Sequence, residues 1–264
     1  VKVCAARTFA GWFLATLLCL ARPAPCASLE ELIRDGDLHD QRLETKAALA
    51  DYLEANRLAT NNAEVLWRIA KQYLDSADDA KTEEEKKTVT VTALDYARQS
   101  VAADAQNSRA RLSLAICYGR ASNYSDNRTK VRYSRLVRDE ALASIRLNSK
   151  DDVAYFVLGR WNYEVANFNS ILRALVRVVY GELPDASNDE AIRNYQKAIA
   201  LAPGKVMHHY HLGRAYQAGK QKALAAEEYR KAIALPVLLH DDPELKRKSK
   251  QHLKEVAPDD PAAK

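Results

Sequence analysis

The chain has 264 residues with 28% Asp, Glu, Lys and Arg, and only 8 glycines and 8 prolines. That balance favours helices and argues against a β-rich design. The formal net charge is +5; setting aside Lys2, Arg7 and Arg22 of the leading segment leaves about +2, which is no nucleic-acid signature.

Residues 1–27 read as a secretion signal. Lys2 and Arg7 form a positive start, the apolar run TFAGWFLATLLCLA covers residues 8–21, and RPAPCAS follows with small residues suited to cleavage near Ala27. The run is short of the ~20 residues that span a bilayer. The expected destination is therefore periplasmic or secreted, with an uncleaved membrane anchor as the alternative. Cys4, Cys19 and Cys26 lie in that segment, so Cys117 stands alone in the body, and no disulfide or cysteine metal site is expected.

Residues 28–257 read as one helical repeat domain, with 258–264 expected as a disordered tail. The repeat is clearest near the C-terminus, where Ala191, Tyr195 and Ala198 recur 34 residues later as Ala225, Tyr229 and Ala232. Thirty-four is the tetratricopeptide period, and that motif maps onto His209, Leu212, Gly213, Tyr216, Ala225, Tyr229, Ala232 and Pro236, with the proline one position early. The small residue of each second helix precedes that of the next first helix by 22 positions: Ala48 to Ala70, Ala93 to Ala115, Val137 to Gly159, and Ala191 to Gly213. Small side chains are needed there because the helices cross closely. The spacing predicts five helix pairs, the first marked by Gly36, and a basic capping helix from about Asp242 to Val256. The expected fold is all-α, a tetratricopeptide-like right-handed superhelix.

Within a pair, the distance between small residues is 12 for Gly36 to Ala48 and for Gly213 to Ala225, but 23, 22 and 32 in the three central pairs. The first two additions (TEEEKKTVTVT and NYSDNRTKVRYSRL) are polar and lengthen helices or loops. The third carries Phe168, Ile171, Leu172, Leu175, Val176 and Val179 at amphipathic-helix spacing, with Asn169, Arg173 and Arg177 opposite. This apolar insert, 168–180, either docks on its neighbour or walls an apolar cavity or membrane contact. Ser187 with Glu190 predicts a capping box for the next helix.

The segments EVLWRIA (64–70), LAICYGR (114–120), VLGRWNYEVANF (157–168) and YGELPDASNDEAI (180–192) resemble the regulator of microtubule dynamics family. The resemblance implies a tetratricopeptide-like domain with a lengthened pair, and a microtubule, membrane-contact or phospholipid role. An export signal would separate this chain from any cytoskeleton.

No catalytic motif is found, no cofactor is expected, and the chain reads as a non-enzyme. His208, His209 and His211 are expected to pack, His209 at the motif's large-residue position. Asn123-Tyr124-Ser125 and Asn127-Arg128-Thr129 match glycosylation sequons. In the repeat frame, the concave groove takes Lys71, Leu74 and Asp75, then Ile116, Gly119 and Arg120, then Arg160, Tyr163 and Glu164, and last Arg214 and Gln217. Lys71, Arg120, Arg160 and Arg214 would make a basic stripe for a carboxylate or phosphate, with Tyr163 as an apolar contact. Alternatively Asp75 and Glu164 neutralise these bases. The partner expected is an acidic protein or peptide, or else a phospholipid.

Overall fold

The computed structural model of the chain describes residues 27–168, 173, 176–177 and 185–263. The expected secretion signal lies outside the described residues, apart from Ala27. Eleven α-helices and no strand are present among the described residues: α1 (Leu29–Gln41), α2 (Thr45–Leu58), α3 (Ala63–Asp79), α4 (Glu83–Ala103), α5 (Ser108–Ser122), α6 (Asn127–Leu147), α7 (Asp152–Ala166), α8 (Asn188–Leu201), α9 (Val206–Ala218), α10 (Lys222–Ala234) and α11 (Asp242–Val256). None is long and apolar enough to cross a membrane.

Seven of the eleven described helices start where a short polar side chain satisfies their free N–H groups. Asn62, Asn107, Asp126 and Asp151 cap α3, α5, α6 and α7, and Ser28 and Thr82 form full capping boxes with Glu31 and Glu85. Before α8 only half of the expected box forms. Ser187 accepts from the Glu190 backbone, while the Glu190 carboxylate turns to Arg193.

Odd helices pack on the even helices that follow them, giving five pairs with α11 against α9 and α10. Large meets small at each crossing. A Cβ on Gly36, Gly159 or Gly213 would lie 2.5, 2.9 or 2.6 Å from the ring of Tyr52, Tyr195 or Tyr229, too close for any larger residue. The same register in the second and third pairs holds Ala70 with Ala97 and Ala115 with Ala141, all fully buried. Ser100 and Ser144 then tie the ends of their helices to the Ala63 and Ser108 carbonyls, both at 2.9 Å.

The first two additions are helical. They lengthen α4 and α6 to 21 residues each, against 14 and 13 for α2 and α10. Of the apolar insert, Phe168 packs against the main core and Val176 is buried, while Arg173 donates to the Ala166 carbonyl at 2.6 Å. Ile171, Leu172, Leu175 and Val179 lie outside the described residues.

The expected disordered tail is corrected. Asp260 binds the Arg230 guanidinium at 2.6 Å, Pro261–Ala263 form a 3₁₀ turn, and Ala263 is 1% exposed within the core. An ion pair and a buried methyl hold these residues against α10 and α11, a tertiary effect that polar composition does not signal. His240, in the α10–α11 loop, reaches back to Asp79 at the end of α3, 3.6 Å away.

Candidate functional site in the helical groove

The four bases of the expected stripe do not share one environment. The Lys71 ammonium lies 2.6 Å from Asp40 and 2.7 Å from Asp75, and Arg120 lies 3.2 Å from Asp78. These bases are neutralised, Lys71 in part by the Asp75 that the sequence suggests. Asp40 and Asp78 are unexpected partners. Carrying the register back to Gly36 finds Asp37 and Asp40 one and four residues after it, so the first pair presents an acid, Asp37, at the place where later pairs present Lys71, Arg160 and Arg214. Asp37 receives Arg68 at 2.8 Å and the Tyr52 hydroxyl at 2.7 Å.

Arg160 and Arg214 differ. Neither has a carboxylate within 4.0 Å among the described residues, and Glu164 does not close on either. Arg214 is half-buried and lies over the Tyr163 ring, with its guanidinium carbon 4.7 Å from the centroid and 6.0 Å from that of Tyr210. One guanidinium N–H also reaches the Tyr163 hydroxyl at 3.4 Å. Stacking holds the flat cation without using up its charge. Arg160 is exposed on the preceding first helix. Tyr163, expected as an apolar contact for a ligand, is the residue on which Arg214 stacks.

The remaining positions expected in the groove make structural contacts. Leu74 is buried, Ile116 packs on the core, and a Cβ placed on Gly119 would meet Val137 at 3.8 Å, ordinary van der Waals contact. Gln217 accepts from Tyr229 at 2.6 Å and donates to Glu255 at 2.9 Å.

The histidine cluster is dispersed into separate contacts. His208 bonds Asp152 at 2.7 Å, beside Lys205. Burial raises the Asp152 carboxyl, but the hydrogen bonds from His208 and Lys205 outweigh it and leave it at about 2. His209 reaches Glu228 at 2.6 Å and the Pro203 carbonyl at 3.0 Å. His211 is buried among Phe156, Tyr195 and Tyr210, and burial followed by Arg160 and Arg214 pushes it well below the usual imidazole range. It is therefore neutral at pH 7. No group of three metal-ligating side chains forms among the described residues. Burial likewise pushes the lone Cys117 thiol up to about 12, so it acts as a small core residue.

Residues 32–257 match the family described as Regulator of microtubule dynamics protein 1-3. The chain belongs to that family. Regulator of microtubule dynamics protein 1 of Mus musculus is 28% identical over 86% of this chain and 74% of its own length. Regulator of microtubule dynamics protein 3 of Xenopus laevis is 27% identical over 86% of this chain and 49% of its own. Two solved structures share the fold: a thermophilic TPR protein of Thermus thermophilus (TM-score 0.61, 17% identity, 86% of this chain and 99% of that one) and pilF of Pseudomonas aeruginosa (0.54, 12%, 89% and 94%). The all-helical, tetratricopeptide-like expectation for this family member therefore holds.

Proposed function

We propose that this chain is a non-catalytic binding module whose groove takes an anionic group of an acidic protein or peptide partner, with Arg160 and Arg214 as anchors and Tyr163 as the platform beneath. The observation that carries this reading is the contrast along the stripe. Lys71 and Arg120 are neutralised by neighbouring helices, whereas Arg160 and Arg214 keep their charge available. A guanidinium stacked on an aromatic ring is held in place for paired hydrogen bonds to an oxyanion, which reduces the ordering cost of binding.

A phospholipid headgroup beside the apolar insert is the other reading of the same cations. The packing of Phe168 on the core and the burial of Val176 favour a docked insert over a lipid wall. We further propose export, from the apolar run at residues 8–21; sequencing the N-terminus of the mature protein tests it.

The test of the groove is capture of partners from the source cell by wild-type protein and by an Arg160→Ala, Arg214→Ala double variant, with circular dichroism confirming equal helicity. Loss of the captured partner is expected. Equal capture by the variant overturns the assignment. Tubulin among the captured proteins would bring the activity in the relatives' names to this chain.

A further inference from the structure

The tyrosine facing each crossing glycine carries a hydroxyl into the interior, where it needs an acceptor. Two pairs supply one from the first helix. Tyr52 donates to Asp37, directly after Gly36, at 2.7 Å. Tyr229 donates to Gln217, four residues after Gly213, at 2.6 Å. In the fourth pair the residues at those two places are Arg160 and Tyr163. An arginine side chain has no acceptor atom, and the Tyr163 hydroxyl is beyond hydrogen-bond distance. Tyr195 is accordingly 0% exposed with its hydroxyl unpartnered. The groups that act electrostatically on it are Arg160, Arg214, Glu164 and Tyr163.

The acceptor is thus missing at the one crossing, among the described residues, where two unpaired cations stand. We infer that Tyr195 is the buried donor of an anion site and that the ligand's anionic group is a carboxylate, one oxygen accepting from the Tyr195 hydroxyl and the group as a whole paired with Arg160 and Arg214. This inference rests on the groove reading above and adds a donor and a ligand class to it. Two arginines and Glu164 leave a local charge of one positive unit, which matches a monoanion and not a phosphate dianion. Arg214 is held by Tyr163 and Tyr210, while exposed Arg160 has room to move aside and admit the ligand.

The probe is sodium acetate, titrated into the full chain at pH 7.5 and constant ionic strength and followed by tyrosine-ring NMR, with inorganic phosphate in a parallel titration. Wild type is expected to saturate with acetate and to bind phosphate more weakly. Tyr195→Phe should weaken acetate about tenfold, the scale of one hydrogen bond to a charged group, without lowering the thermal midpoint, because the deleted hydroxyl has no partner. Wild-type affinity in Tyr195→Phe, alongside loss of binding in the Arg160→Ala, Arg214→Ala variant, would overturn the role of Tyr195 and leave the groove reading standing. Absence of acetate binding in wild type would overturn both. Tighter phosphate than acetate would overturn the carboxylate assignment. Two tripeptides, acetyl-Ala-Glu-Ala-amide and acetyl-Ala-Ala-Ala with a free C-terminus, separate side-chain from chain-end carboxylates: a gain over acetate by either supports a peptide source, and no gain by both overturns it.

Discussion

The Arg214 guanidinium stacks 4.7 Å above the Tyr163 ring, joining the first helices of the fourth and fifth pairs through residues 51 apart in the chain. The contact orders a cation that has no carboxylate partner within 4.0 Å among the described residues. Replacing Tyr163 with Leu removes the ring face and the hydroxyl acceptor together. Stability should fall by about 1 kcal/mol, the scale of a cation–π contact in a half-buried setting. Partner capture should fall further than stability, because Arg214 loses its orientation. Chemical denaturation and the capture assay measure the two effects separately.

Gly159 sets the crossing of α7 and α8. An alanine there gains about 1 kcal/mol of helix propensity. Its Cβ would sit 2.9 Å from Cδ1 and Cε1 of Tyr195 and 3.3 Å from the Ala191 carbonyl, and that ring is fully buried and unable to swing away. Overpacking should therefore win, with a net loss of about 1–3 kcal/mol. Combining Gly159→Ala with Tyr195→Ala recreates the Ala–Ala register of the second and third pairs, and should cost less than the sum of the single changes. Additivity in a double-mutant cycle would show that the two residues do not compete for space.

His208 and His211 are held below the imidazole value of 6.5, chiefly by burial. The unfolded chain then binds more protons than the folded one once the pH drops through 6.5, so stability should be constant above that point and decline below it. The depressed Asp152 carboxyl adds a further loss below the ordinary carboxylate value of 3.8, progressing toward about 2. Thermal midpoints recorded between pH 8 and 4 should show the first decline, and His211→Gln should flatten it. An unchanged slope in that variant would assign the titration elsewhere.

Leu43 and Lys220 occupy the same place, seven residues after Gly36 and Gly213, in the two short intra-pair turns. Both have left-handed backbones, with φ of 62° and 61°. The tight turn needs that conformation, and a side chain there costs about 1–2 kcal/mol. Lys220→Gly should raise the thermal midpoint, since the exposed lysine gives up no ion pair among the described residues. Lys220→Val should lower it.

Much of the architecture could be read from the chain by itself. Ala48, Ala93, Val137 and Ala191 stand 22 residues before the next small position because each helix-to-helix join must hold the same crossing, and a crossing tolerates only particular side-chain volumes. That requirement leaves a trace in the sequence, and it located five pairs, a capping helix and three additions. The expected groove positions, including Arg160, Tyr163 and Arg214, come from the same register. What tertiary structure alone decided is the condition of those groups. Lys71 is neutralised by Asp40, 31 residues away, and Arg120 by Asp78, 42 residues away, while the Tyr195 hydroxyl has lost the acceptor that its counterparts keep. Ion pairs and buried hydrogen bonds depend on distances of a few ångströms between different helices. Periodicity places a residue on a face, but only the packed array shows whether it meets a partner there.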